Sequence, residues 1–154
     1  MSKIAILTCA NATQETNCSS TGCLRDMRER NGFFAKHPAD EPLILIGMIS
    51  CSGCPTLVAP EKILRKVAAV ADYGIDTLHL SWCMTVLCPF ISRYKKVINE
   101  RYPDLNIIEG THPEKTPEEV KKYREGVKEM LAPTVKKPQD MNDLIQRKFT
   151  FPAN

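Results

Sequence analysis

Several features that would indicate nucleic acid binding, export or a membrane are missing from this sequence. The 154 residues carry 21 basic and 18 acidic side chains, which are spread along the chain and form no basic arm. No stretch approaches the roughly 20 apolar residues of a membrane span. Residues 1–9 hold one lysine and a short apolar run, without the long apolar region of a signal peptide. The sequence therefore predicts a cytoplasmic protein with no nucleic acid or membrane partner.

Common catalytic motifs are missing as well. Glycines such as Gly22, Gly32 and Gly53 are scattered, and no glycine-rich loop that could hold a phosphate is present. The carboxylates are equally scattered and form no convincing pair of acid and base. The sequence thus leaves the reaction, if there is one, undefined.

Cysteine is the residue type that stands out. A chain with 43% hydrophobic and 25% charged residues can build an ordinary single-domain core, so it needs no disulfide framework. In a reducing compartment, thiols stay free unless they bind metal or perform redox chemistry. Metal or thiol chemistry is therefore the leading hypothesis for the seven cysteines, which are Cys9, Cys18, Cys23, Cys51, Cys54, Cys83 and Cys88.

Four short apolar runs predict strands, and helical patterns lie between them. A cysteine or histidine follows each run closely, at Cys9, Cys51, Cys83 and His112. Continuous apolar runs are typical of parallel strands that are buried on both faces. The predicted strands are 4–7, 43–49, 77–80 and 105–108, and the predicted helices are 21–30, 63–71, 90–98 and 116–131, the last with Thr116 as its cap.

This alternation predicts one α/β domain with a four-stranded, mostly parallel sheet flanked by helices, as in Rossmann-like and flavodoxin-like folds. In such sheets the binding crevice lies beyond the carboxyl ends of the strands, where the strand order reverses. An order of 2-1-3-4 would place Cys9 and Cys83 on either side of that point, with Cys51 beside Cys9. We therefore expect these thiols to converge at one edge of the sheet.

The central segment Cys51-Ser52-Gly53-Cys54-Pro55 follows a strand and precedes a helix. Gly53 permits a tight turn, and Pro55 is a candidate for the first helical residue. The positive end of a helix dipole would favour the thiolate form. Two thiols at this spacing can share a metal ion, or they can act as a redox pair in which Cys51 attacks and Cys54 resolves.

The remaining candidates carry weaker signals. The pairs Cys18/Cys23 and Cys83/Cys88 are compatible with metal binding, although a buried free cysteine is also common as a small apolar residue.

The three histidines differ in what they predict. His112 ends a strand at the cysteine edge and can bind metal or exchange protons. His79 is expected to be a packed sheet residue, and His37 is expected to be solvated in a polar loop.

Several of these pieces, in this order, resemble the CGGC-domain family, which is named for a central Cys-Gly-Gly-Cys. Ser52 replaces the first glycine of that motif, and Phe90 stands where family members carry a histidine. The matching pieces cover residues 3 to about 113: Cys9, the Cys18 and Cys23 pair, residues 32–34, 46–55 and 78–83, Cys88-Pro89, and residues 109–112. The resemblance implies metal binding and supplies no reaction.

Zinc suits a set of thiolates, or thiolates with one imidazole, and an iron–sulfur cluster is the alternative cofactor. A redox partner, or a small thiol or other sulfur-containing substrate, would accompany the redox alternative, and a module that only delivers metal is a third possibility. The predicted ligands are first Cys9, Cys51, Cys54 and Cys83, and next Cys18, Cys23 and Cys88. His112 is predicted either as an alternative ligand or as a side chain that supports a ligand without touching the metal.

The composition changes after residue 131, where Pro133 and Pro138 with neighbouring lysines indicate a linker. We therefore divide the chain into a CGGC-like domain at 1–131 and a tail at 132–154. The tail can form a short helix after Asp140. It is expected either to fold over its own domain or to contact a second subunit in a homodimer.

Overall fold

A computed structural model describes residues 1–54 and 56–131, apart from the side chains of the last two of these. The architecture is α/β, with a four-stranded, all-parallel sheet in the order β2-β1-β3-β4 and helices around it. The predicted fold class and strand order are confirmed. The strands are β1 (Ser2–Thr8), β2 (Leu43–Ser50), β3 (Thr77–Leu80) and β4 (Asn106–Glu109).

Six α-helices and one 3₁₀ turn connect or follow these strands in the described part of the chain. Every helix there is too short or too polar to span a bilayer. The predicted tail, with its possible short helix and dimer contact, lies outside the described residues. The helices are α1 (Ala10–Gln14), α2 (Thr21–Arg28), α3 (Ala59–Ala71), α4 (Trp82–Leu87), α5 (Ile91–Arg101) and α6 (Pro117–Leu131), and the 3₁₀ turn is Gly32–Lys36.

Strand β1 lies at the centre of the fold because its apolar run is buried on both faces. Ala5 and Leu7 pack on the same side as Ile63 and Val67 of α3, while Ile6 packs on the opposite side. The strand pairs in parallel with β2 and with β3. The carboxyl ends of these three strands therefore meet at one edge, which is the edge that carries the cysteines.

Two features near that edge differ from the sequence-based expectation. Helix α3 begins at Ala59, with Pro60 in its first turn, later than the start predicted at Pro55, which lies outside the described residues. Short helices α1 and α4 directly follow β1 and β3, with Cys9 and Ser81 as their N-cap residues. These helices are too short to produce a periodic apolar pattern, which is why the sequence did not reveal them.

The expectation that His37 is solvated was wrong, whereas His79 is a packed sheet residue as predicted. His37 is buried, and its Nε2 lies 2.9 Å from Nε2 of His79. The other ring nitrogen of His79 is 2.9 Å from the carbonyl oxygen of Gly110, and the ring packs on Phe34. Because a carbonyl only accepts hydrogen bonds, Nδ1 of His79 carries the proton and Nε2 accepts one from His37.

The buried histidine pair predicts that the fold weakens in mild acid. Burial lowers the pKa of His79 to about 4 and also lowers the pKa of His37. The unfolded chain therefore binds these protons first, so stability is complete above about pH 6.5 and falls as the pH drops toward 4. From His79 alone, we expect the free energy of unfolding to fall by about 2 kcal/mol between pH 7 and pH 5.

Urea denaturation at the two pH values measures this loss. A His79→Asn variant lacks the titrating group, so its stability should depend less on pH than that of the native protein. An equal loss in both proteins would show that other groups cause the acid sensitivity.

Candidate functional site

The centre of the site is a pair of cysteines at the ends of two neighbouring strands. Cys9 directly follows β1, and Cys51 directly follows β2. The backbone N–H of Cys51 donates to the carbonyl of Thr8 at 2.8 Å, which extends the parallel pairing past the strand ends. Both cysteines are buried, and each side chain is close enough to shift the pKa of the other. The strand order thus brings together two thiols that are 42 positions apart in the sequence.

The surroundings of this pair favour one thiolate and one thiol. The neighbouring Cys9 side chain is the main cause that lowers the pKa of Cys51. Backbone N–H groups of Ala10 and Gly53 and the charge of Lys66 lower it as well, and together these effects outweigh burial. The Ala10 N–H lies 3.2 Å from Cys51 Sγ. The Cys51 side chain, with burial, raises the pKa of Cys9. Cys51 therefore holds the negative charge, and Cys9 holds the proton.

The turn after Cys51 keeps polar groups close to this thiolate. Gly53 adopts a φ of +81°, which glycine tolerates without strain. Lys66 of α3 donates from Nζ to the carbonyl oxygens of Ser50 and Cys51 at 2.7 and 3.2 Å. Within the described ranges, the hydroxyl of Ser52 is the single buried side-chain oxygen or nitrogen without a hydrogen-bond partner.

Cys54 and Cys88 lie outside this buried pair. Cys54 is exposed, and partial desolvation together with the neighbouring Cys51 raises the pKa of its thiol. It lines a cavity of about 450 Å³ whose walls include the exposed apolar side chains of Leu57 and Phe90. Cys88 is half-buried, and burial raises its pKa. The accessible thiol of the central motif is thus the protonated one.

Cys83 lies on the other side of the β1 end, at the start of α4. Its sulfur is 3.1 Å from the hydroxyl of Ser81, and its side chain is half-buried. Its charge contributes to the raised pKa of Cys9, so the two thiols are close enough to influence each other electrostatically. Cys83 therefore belongs to the same sheet edge as Cys9 and Cys51.

A second group of polar side chains joins α2 to the loop after β4. Cys23 Sγ lies 3.6 Å from Nε2 of His112, and Nδ1 of that ring lies 2.5 Å from a carboxylate oxygen of Asp26. Asp26 is 1% exposed and also accepts hydrogen bonds from Arg25. Burial alone would raise the pKa of Asp26, but the hydrogen bonds from His112 and Arg25 outweigh it and lower the pKa.

Cys23 and His112 open into a cavity of about 310 Å³ that differs from the one beside Cys54. Helix α6 contributes Tyr123, whose ring centre lies 4.8 Å from that of Trp82. Burial, with the nearby thiols, raises the pKa of Tyr123 to about 12, so its hydroxyl stays protonated. Exposed Cys18 and half-buried Cys83 complete the thiols that line this cavity.

The structure therefore divides the predicted site residues into two neighbouring groups. Cys9 and Cys51 form the buried pair, with Cys54 and Cys88 toward one side. Cys18, Cys23 and His112 surround the second cavity, which Cys83 also lines. In residues 1–54 and 56–131, no three histidine, cysteine or acidic side chains form a group arranged to hold a metal ion.

The family model for the CGGC domain matches residues 3–112. The chain belongs to the CGGC domain family. Searches of the curated proteins and of the solved structures found no match. The matched part of this CGGC-domain protein contains all seven cysteines and ends at His112. Helix α6 lies beyond it, yet places Tyr123 against the cysteine-lined cavity.

Three residues of the site were missed from the sequence. Asp26 follows Cys23 by three positions on a helix, and this spacing places both on one face, so the sequence did carry a signal. Lys66 and Tyr123 reach the site only through the packing of α3 and α6. Their spacing to the cysteines carries no such signal.

Proposed function

We propose that this CGGC-domain protein binds one zinc ion at the carboxyl edge of its sheet, with Cys9, Cys51, Cys54 and Cys83 as ligands. The observation that carries the proposal is the buried Cys51 sulfur, which accepts the Ala10 backbone N–H at 3.2 Å beside the buried Cys9 thiol. These surroundings lower the pKa of Cys51 toward the thiolate form. Because the thiolate is the form that binds metal, zinc displaces no proton from Cys51.

The donor set suits the proposed ion in its chemistry. Zinc accepts four thiolates in a tetrahedron, and the neighbouring Cys9 and Cys51, with Cys83 and Cys54 close to them, support this ligand set. Binding requires these two outer side chains to turn toward the pair, because the described residues hold no group of three donors arranged for a metal ion. Zinc would neutralise the thiolate charge and link the ends of β1 and β2 without redox chemistry.

Titration of the reduced full-length protein with Co²⁺ under anaerobic conditions tests this proposal. Cobalt bound by thiolates gives intense sulfur-to-metal charge-transfer absorption in the near ultraviolet, and tetrahedral geometry gives visible bands. We expect both signals to saturate at about one equivalent, from the four-ligand tetrahedral site that zinc prefers. Saturation without thiolate bands would contradict the ligand set, and an iron–sulfur spectrum of the purified protein would identify the alternative cofactor.

A second candidate function is thiol–disulfide exchange, which the exposed Cys54 beside an apolar cavity favours. The Cys51 thiolate would attack a partner's disulfide and release one partner thiolate. Cys54, after losing its proton to solvent, would attack the mixed disulfide, giving a Cys51–Cys54 disulfide and a fully reduced partner. Against this order of steps, the thiolate is buried and the accessible thiol has a raised pKa.

Replacing Cys54 with serine separates the two functions. Under the zinc proposal, Cys54→Ser weakens zinc binding, and no disulfide reductase activity is lost because none is present. Loss of reductase activity with unchanged zinc content would instead support thiol–disulfide exchange. Metal content and reduction of a small disulfide are the two measurements.

A further inference from the structure

The second group of polar side chains has the arrangement of a nucleophile, a base and a residue that orients the base. His112 lies between the other two, with Nε2 3.6 Å from Cys23 Sγ and Nδ1 2.5 Å from Asp26 Oδ2. The three residues come from α2 and from the loop after β4, so the fold and not local sequence brings them together. Such a triad is recognised by its geometry and by the role of each residue. Both required contacts, from nucleophile to base and from base to orienting residue, are present here.

Asp26 determines which nitrogen of His112 carries the proton. An ionised carboxylate only accepts hydrogen bonds, so Nδ1 of the ring must donate to it. In the neutral ring, Nε2 then has a free lone pair that faces the Cys23 thiol. Because Asp26 is buried and fixed by Arg25 as well, the ring is held in this orientation.

The surroundings of Cys23 suit a thiol that loses its proton only when a substrate is attacked. Burial raises the pKa of Cys23, and a hydrogen bond with Thr111 partly opposes this. The Thr111 hydroxyl oxygen lies 3.5 Å from the sulfur and also accepts the backbone N–H of Trp82. A thiol whose sulfur lies 3.6 Å from an imidazole nitrogen is placed for general-base activation.

Space for a substrate is present next to the sulfur. The cavity of about 310 Å³ reaches Cys23 and His112, and the rings of Trp82 and Tyr123 form an apolar wall. Apolar walls with a few polar groups at one end are typical of pockets for small organic molecules. Cys23 is the third residue of α2, and the N-cap residue Ser20 makes no side-chain hydrogen bond to the first N–H groups of this helix.

We propose that Cys23, His112 and Asp26 form a catalytic triad that transfers a small acyl group from an ester or thioester. His112 Nε2 takes the Cys23 proton as the sulfur attacks the carbonyl carbon. The carbonyl bond re-forms as the leaving alcohol or thiol departs with the proton from His112, which leaves an S-acyl bond on Cys23. Water, deprotonated by His112, then releases the acid and restores the thiol. Asp26 touches no reacting atom and is a positioning residue.

The experiment exposes the reduced full-length protein to p-nitrophenyl acetate and stops the reaction in acid. Peptide mass mapping then follows acetylation of each cysteine separately. We expect acetyl-Cys23 to form faster than acetyl-Cys18, the exposed thiol on the same cavity. His112→Asn should slow acetylation at Cys23 by about 10²-fold, the usual contribution of a general base. Cys88→Ser, outside this cavity, serves as the matched control and should leave the rate at Cys23 unchanged.

The role of Asp26 needs a measurement that a merely structural residue would not affect. In the native protein, long-range ¹H–¹⁵N spectra of His112 should show the proton on Nδ1. Asp26→Asn should move part of it to Nε2 and slow acetylation at Cys23. If Cys23 reacts no faster than Cys18 in the native protein, or equally fast in a folded His112→Asn variant, the triad proposal is wrong. These measurements follow Cys23 and not zinc, so either proposal can fail alone.

Discussion

Replacing Cys51 with serine is expected to reduce zinc from about one ion per chain to a small fraction of that value, because the change removes the proposed anionic ligand. A serine hydroxyl stays neutral at pH 7, so the N–H groups of Ala10 and Gly53 no longer hold a charge for the metal. The smaller oxygen also breaks the contact with Cys9. The measurement is zinc content after dialysis of protein that was purified without oxygen.

Cys18→Ser is the matched control for this loss. Cys18 is exposed, lines the second cavity and is not one of the four proposed ligands, so this variant should keep its zinc. Zinc retained by Cys51→Ser, or lost equally from both variants, would contradict the proposed ligand set. A circular dichroism spectrum confirms that each variant is folded.

The largest loss of stability is expected from Gly32→Ala, at the start of the 3₁₀ turn. Gly32 adopts a φ of +58°, and an added Cβ would lie 2.4 Å from the backbone of His112 and Pro113. A left-handed conformation costs a non-glycine residue about 1–2 kcal/mol, and displacement of backbone adds about 1–3 kcal/mol. We therefore expect the free energy of unfolding to fall by about 3 kcal/mol.

Gly126→Ala in α6 is the control for this prediction. A Cβ at Gly126 meets no atom within 4 Å, and alanine favours a helix interior over glycine by about 0.5–1 kcal/mol. Urea denaturation should show one variant strongly destabilised and the other unchanged or more stable. Equal stability of the two variants would show that the loop of His112 is not packed closely against the 3₁₀ turn.

The parts of the fold that depend on the sheet were visible in the sequence. The uninterrupted apolar run of β1 indicated a strand buried on both faces, and the residues that follow each run placed Cys9, Cys51 and Cys83 at one edge. Short elements were not visible, because α1 and α4 contain too few turns for an apolar period to develop. The start of α3 was not visible either, because this helix begins after Val58 and not at the proline of the central motif.

The candidate site was predictable where it depends on strand ends, and unpredictable where it depends on how helices pack. The Cys9–Cys51 contact follows from the parallel pairing of β1 and β2. The thiolate state of Cys51 depends on Lys66, which α3 brings over the edge, and the second cavity depends on Tyr123 of α6. His37 was misjudged because a polar loop sequence does not reveal that His79 lies beneath it.

The metal content of the full-length protein, purified without oxygen and dialysed without chelator, tests the central proposal most directly. The account predicts about one zinc ion per chain, from the tetrahedral thiolate site at the ends of β1, β2 and β3. A protein that folds normally and carries no zinc, before or after incubation with zinc, would contradict it.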